Sequence, residues 1–270
     1  VMKKFVMYIT MFLITIIYLV PFYILLNVAF KPTTDTSSFW VPPRQPYLGN
    51  FINAWNNAKL ARAFLNNIII TFCVVAVVII IGSCAAYPLS RYRTKLNNIV
   101  YMFCISCIVV PPLTILVPLY KLIVDTTGTS TYLGIILPHI AFQLPMAIFL
   151  YTGFIGSLSK ELDEAALIDG CSRFAIFYRV ILPLLKPITA TIIIFVGVNV
   201  WNDYTFSVFF LQKPSMYTIT VGLSQFFSQF SNEINWVAAG CLLGMLPLTT
   251  LYMFMQQYFV KGLTAGAIKG

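Results

Sequence analysis

Apolar residues fill this chain in six long stretches, about 5–30, 65–89, 97–121, 133–153, 188–211 and 236–260, parted by shorter polar segments. Each is long enough to cross a hydrocarbon core of about 30 Å as a helix, and none alternates in the two-residue period of a barrel strand. The predicted fold class is therefore all-α: a polytopic membrane protein with six transmembrane helices in a single transmembrane domain over 1–270. Prolines at 21, 88, 111, 112, 118, 138, 145 and 247 punctuate these stretches. Each removes a backbone donor and frees a carbonyl, which accounts for ordinary kinks. The dense group Pro111, Pro112 and Pro118 predicts more, a third span that bends around a translocation path.

Composition excludes the soluble classes. The chain is 59% hydrophobic and only 9% charged, where a soluble domain carries about 25% charged residues. The first stretch follows Lys3 and Lys4 as a secretory leader would. It is far longer than a leader's apolar core of about 7–15 residues, and no small-residue cleavage pattern follows at Lys31-Pro32-Thr33, so a retained first span is predicted. The net charge of +9 sits in scattered loop residues without a dense basic run, which argues for topology rather than nucleic acid. With six spans both termini lie on one side. Placing them inside puts eleven of the 17 basic residues on that side, so cytoplasmic termini are expected. The outer segments are then the loop before span two, with a short helix near 51–63, and a polar loop over 212–235. The six cysteines lie in apolar runs or in one charged segment. Cys104 and Cys107 have no second pair, and small packing residues are the reading that fits.

One segment breaks the oily pattern. Residues 160–187 hold four of the 17 basic and four of the eight acidic residues on about a tenth of the length. The orientation above makes it cytoplasmic. Ser159 can cap a helix whose first turn carries Glu161 and Asp163, where negative charge suits the dipole. Gly170, after Asp169, supplies a left-handed stop. Ser172 can cap a second helix from Arg173 to Leu182, which Pro183 ends. Leu162, Ala165, Ala166 and Ile168 give the first helix a small, partly apolar face. Phe174, Phe177, Val180 and Ile181 give the second a stripe to rest on the bundle. Such a unit is a lever with a docking knob, or an amphipathic loop helix lying on the membrane surface.

Within the spans, Asn199, Trp201, Asn202 and Asp203 form the most polar cluster, with Gln143 and His139 in span four. Polar groups at membrane depth are costly and often functional. An aromatic face with amide and carboxylate groups suits a carbohydrate path; hydrogen bonding between helices is the other reading. His139 has no acidic neighbour in its own span, which points to a structural role. No G-x-x-x-x-G-K-S/T phosphate loop occurs, so this chain is not expected to be an enzyme or to hydrolyse ATP.

The spacing Glu164-Ala165-Ala166, three residues, Gly170, nine residues, Val180-x-Leu182-Pro183 resembles the EAA loop of binding-protein-dependent ABC importer permeases, the MetI-like superfamily. "YLGIILPHIAFQLPMAIFLYTGF", "VWNDYTFSVFF" and "QQYFVKGLTAGAIKG" extend the resemblance over nearly the whole chain, toward the sugar branch and the maltose-permease G type. Ser159 and Val180 depart from the usual proline and isoleucine. The resemblance implies the type I ABC importer permease fold in a multi-pass bacterial cell membrane protein. It implies as partners a second related permease, two ATP-binding subunits and an extracytoplasmic solute-binding protein, in contact with lipid and without nucleic acid. ATP and Mg would sit in the ATPase partners, with no cofactor or metal on this chain. Glu161, Glu164, Ala165, Ala166, Asp169, Gly170 and Ser172 would couple to the ATPase, and Lys261, Gly262, Gly266 and Lys269 of the tail over 261–270 would form a second contact. Gln143, Asn199, Trp201, Asn202 and Asp203 would line the solute path. The function implied is import of a carbohydrate, an oligosaccharide above all. The alternatives are a non-sugar solute such as a polyamine, carried by the same architecture, or a stand-alone secondary transporter.

Overall fold

The computed structural model describes residues 2–92, 94–229 and 233–267. Every regular element among them is helical. Among the described residues, four helices are long and apolar enough to cross a membrane: Lys3–Phe30, Leu60–Arg91, Tyr132–Ser157 and Ile234–Gln256. Two bent pairs, Lys95–Ile108 with Pro112–Thr126 and Arg173–Leu184 with Lys186–Trp201, bring the number to six if each is one span. The chain divides into two compact units, Val1–Phe64 with Tyr217–Leu246 and Leu65–Met216 with Pro247–Gly270.

The first unit holds α1 (Met2–Phe30), α2 (Gly49–Asn57), the start of α3 (Leu60–Arg91), α12 (Ile219–Gln229) and the start of α13 (Ile234–Ala267). A helix ends with carbonyls that lack helical partners, and asparagine amides take those of α1. Asn50 Nδ2 donates to the Ala29 carbonyl at 2.8 Å and to that of Lys31 at 2.6 Å, while Asn235 Nδ2 donates to Val28 and Lys31, both at 2.9 Å. Lys31 is itself buried, its Nζ donating to Ser37 Oγ and the Ser38 carbonyl at 2.7 Å each. The loop that follows α1 is therefore folded around a lysine. Lys59, at φ +49°, parts α2 from α3, so the short helix expected near 51–63 ends earlier and the next begins within that range. The stretch 212–235, expected as a polar loop, contains α12 with Ile219, Val221, Leu223 and Phe226 buried. Along α1 residues 3–19 are all exposed in the isolated chain.

The second unit is built on α3, α4 (Lys95–Ile108), α5 (Leu116–Thr126), α6 (Tyr132–Ser157), α7 (Glu161–Ile168), α8 (Arg173–Ile176), α9 (Leu182–Leu184), α10 (Lys186–Trp201) and α11 (Thr205–Phe210). Its core runs from Ile70, Val74 and Val78 of α3 through Ala147, Tyr151 and Ile155 of α6 to Ile188, Ile192 and Val196 of α10. At Gly82 a Cβ would come 3.3 Å from the Ala147 Cβ, so α3 lies tight on α6 because glycine stands there. Tyr151 and Thr189 hydroxyls, 2.9 Å apart, tie α6 to α10.

Two spans depart from a continuous helix, the third at the proline group expected to bend it and the fifth where no break is expected. The third bends by 95° between Lys95–Ile108 and Pro112–Thr126. Pro111 and Pro112 have no N–H for the carbonyls one turn back, and a short 3-10 turn, Pro112–Ile115, bridges the gap. The fifth, expected as continuous over 188–211, ends at Trp201 and resumes at Thr205. No proline lies at that break; Asp203 stabilises it instead. Its carboxylate accepts from the Phe206 amide at 3.2 Å and from the Ser207 amide and hydroxyl at 2.8 Å each, capping α11.

Candidate coupling site

The charged segment folds as helix, turn, helix. Ser159 Oγ accepts from the Glu161 amide at 3.2 Å, and three carboxylates follow in the first turn of α7. At the other end Gly170 takes φ +79°. Its amide donates to the Leu167 carbonyl and that of Cys171 to the Ala166 carbonyl, both at 3.0 Å. This paired closure is the Schellman stop, which needs a left-handed residue at Gly170. Ser172 Oγ then accepts from Ala175 N at 3.3 Å and opens α8. Pro183 does not end the second helix as expected. A π turn over Phe177–Ile181 precedes it and the helix continues to Leu184. The 72° bend falls before Lys186–Trp201, where Pro187 stands in the first turn.

One face of this arm is buried and the other is bare. Ile176, Phe177, Ile181 and Leu185 enter the core of the second unit, and Ala166 joins them. Ala166 is therefore turned away from the surface, against the expectation that it shares the docking face with Ala165. Phe174, expected to rest on the bundle, is 76% exposed and stacks on Tyr178 one turn on, ring centroids 6.5 Å apart. Glu161, Glu164, Ala165, Asp169, Gly170 and Ser172 are exposed, as are Leu167 and Ile168, the latter at 86%. The open surface thus combines carboxylates with large apolar side chains.

Asp163, between two exposed glutamates, behaves differently. Its Oδ2 lies 2.9 Å from Arg91 Nη2, the two side chains only 14% and 5% exposed. Its Oδ1 accepts from the Tyr87 hydroxyl at 2.7 Å. Arg91 donates also to the carbonyls of Leu158 and Ser159, at 3.0 and 3.3 Å. The Arg173 guanidinium sits 4.7 Å over the Tyr92 ring, a cation–π contact, and the Tyr87 and Phe177 rings are 5.4 Å apart. The C-terminal end of α3 thus grips both helices of the arm. Sequence reasoning missed Tyr87, Arg91 and Tyr92, since a basic residue ending an apolar helix reads first as a topological anchor.

The polar residues assigned to a solute path do not converge on one point. Asn199 and Asn202 are exposed on α10, Asn199 Nδ2 turned back to the Phe195 carbonyl at 2.8 Å. Phe195, Val198, Asn199 and Asn202 share one exposed helical face at i, i+3, i+4 and i+7. Trp201 is only 6% exposed, so it offers no open aromatic face to a sugar, and its carbonyl accepts from Asn67 Nδ2 at 2.9 Å. Gln143 is half-buried on α6. Asp203 is drawn into the cap of α11 and lies 3.6 Å from His139 Nε2. The acidic neighbour that His139 lacks in its own span comes from another one. In the tail, Lys261, Gly262 and Gly266 are described as helical backbone of α13, and Lys269 lies outside the described residues.

A family model described as "Binding-protein-dependent transport system inner membrane component" matches residues 78–265. The melibiose/raffinose/stachyose import permease protein MelC of Bacillus subtilis (strain 168) is 45% identical over 252 residues, 93% of this chain and 91% of that protein. The probable starch degradation products transport system permease protein AmyC of Thermoanaerobacterium thermosulfurigenes is 32% identical over 263 residues, covering 95% and 93%. Among solved structures, a chain of a bacterial ABC transporter involved in the import of the acidic polysaccharide alginate matches with a TM-score of 0.76 over 95% of this chain and 97% of that one. At 20% identity that likeness bears on the fold alone. With most of its length matched by the family model and a relative at 45% identity over 93% of it, the chain belongs to the family of inner membrane components of binding-protein-dependent transport systems.

Proposed function

We propose that this chain is one of two paired permease subunits of an ATP-driven importer that brings a carbohydrate, an oligosaccharide in the first place, into the cytoplasm. The observation that carries this reading is the 45% identity to an import permease for melibiose, raffinose and stachyose across nine-tenths of both chains. In this reading a solute-binding protein delivers the sugar on the outer side, and both termini and the arm over 160–187 are cytoplasmic. ATP, with Mg, is bound and hydrolysed by two partner subunits.

The exposed face of α7 suits docking against an ATPase. Glu161 and Glu164 offer carboxylates to basic groups, Leu167 and Ile168 offer apolar anchors, and Gly170 and Ser172 hold the turn. Closure of the ATPase pair would push on this knob, and the spans would alternate between outward-open and inward-open around the solute. The exposed stripe of α10, with Asn199 and Asn202, is the part of the assigned path still available to a sugar or to the second permease.

Reconstitution of the chain with its partner permease, ATPase subunits and binding protein in proteoliposomes tests the whole reading. Oligosaccharide loaded on the binding protein should stimulate ATP hydrolysis and accumulate inside, while a polyamine should do neither. Glu164→Lys should leave the chain in the membrane and remove ATPase retention or stimulation. Wild-type retention and transport in that variant would overturn the docking role.

A further inference from the structure

We propose that α3 is the rod that carries displacement of the arm to the break in the fifth span, with Arg91, Tyr87 and Asn67 as its positioning residues. The inference rests on the docking reading above, and it concerns residues that touch neither ATPase nor solute in that reading. At one end of α3, a single turn supplies both groups that hold Asp163: Tyr87 at 2.7 Å and Arg91 at 2.9 Å. The same guanidinium holds the carbonyls of Leu158 and Ser159, which lead into the arm. Toward the other end, Asn67 takes the Trp201 carbonyl at 2.9 Å. That carbonyl would bond the Thr205 amide in a continuous helix, and the break leaves it for α3. The neighbouring Asn66 donates to the Ser215 carbonyl at 3.1 Å and accepts from the Tyr132 hydroxyl at 2.8 Å.

From Asn67 to Arg91 a helix spans about 36 Å at 1.5 Å per residue, close to the thickness of a hydrocarbon core. Little slack exists along the way. Ile70, Val74 and Val78 are buried in the core, and Gly82 lies against Ala147 and Tyr151. A nearly buried ion pair adds little net stability over an apolar pair of the same shape, but separating its members leaves a charge without compensation. Asp163 therefore moves with α3 rather than away from it. A push on the exposed carboxylate side of α7 reaches Trp201 and the Asp203 cap through one helix that runs unbroken past Pro88.

The test uses the assembled importer in proteoliposomes. Arg91→Gln and Asp163→Asn should retain ATPase subunits and basal hydrolysis, yet lose stimulation by sugar-loaded binding protein, with sugar moved per ATP falling about tenfold. Arg91→Lys, which keeps the charge, should recover most of that ratio. Tyr87→Phe, which keeps the ring against Phe177 and loses only the hydroxyl, should lower it a few-fold. An unchanged ratio in Arg91→Gln, or equal defects in Arg91→Gln and Arg91→Lys, would overturn the proposal. Should Arg91→Gln fail to assemble, an unchanged ratio in Tyr87→Phe overturns it just as well. Glu164→Lys separates the two readings. Normal transport in that variant removes the docking role and the rod with it, whereas a defective Glu164→Lys beside a normal Arg91→Gln removes the rod alone.

Discussion

Substitution of Gly170 asks whether the turn between α7 and α8 is held by backbone conformation or by space. At φ +79° a Cβ would meet nothing within 4 Å, so volume is free and only conformation is penalised. An L residue in the left-handed region is disfavoured by roughly 1–2 kcal/mol, less for Asn, whose short polar side chain can bond locally, and more for a β-branched residue. That range shifts an equilibrium by a factor of about 5–30, here between a closed turn and one that has lost the bonds from Gly170 and Cys171 to Leu167 and Ala166. ATPase retention and binding-protein-stimulated transport in proteoliposomes should therefore fall in the order Gly, Asn, Ala, Val. A packing constraint would sort the variants by size and place Ala above Asn. Finding Ala better than Asn would refute the conformational account.

Neighbouring alanines should respond in opposite ways. Ala166→Leu overfills a buried site and should lower the melting temperature in detergent, at about 1–3 kcal/mol; Ala165→Leu, on the exposed side, should leave melting unchanged and weaken ATPase retention. Asn50→Ala removes both amide bonds to the end of α1 and should destabilise by about 1–3 kcal/mol. Because Asn50 and Asn235 share the Lys31 carbonyl, the double variant should deviate from additivity in a thermal unfolding cycle. At the break in the fifth span, Asp203→Ala should cost about 0.5–2 kcal/mol as a lost cap, with Asp203→Asn milder because an acceptor remains; equal losses in melting temperature would rule out capping as the reason for Asp203.

What could be read in advance follows the distance over which each feature is decided. The Gly170 stop depends on residues within one turn, and the bend at Pro111-Pro112 on two missing amides, so both are visible in a short window. The break after Trp201 has a local cue too, Asn202-Asp203 in an apolar span. The same polar pair also suits a solute, and only the bonds to Phe206 and Ser207 reveal punctuation. Phe174 shows the weakness of assigning a stripe by residue type. Phe174 and Tyr178 pair at i, i+4 on the open side of the arm, while Ile176, Phe177 and Ile181 take the buried side.

Asp163 marks the limit most sharply. Glu161, Asp163 and Glu164 share one helical turn, one charge and one favourable relation to the helix dipole, so no local rule separates them. What distinguishes Asp163 is that Ala166, three residues on and on the same face, is buried. A carboxylate on that face must meet a cation or stay out of the core. The cation is Arg91, at the end of a helix that sequence proximity gives no reason to connect with the arm. The charge anomaly of this segment thus contains two kinds of charge: solvated carboxylates on the outside that another protein can meet, and one inward carboxylate that fixes the knob to the rod behind it.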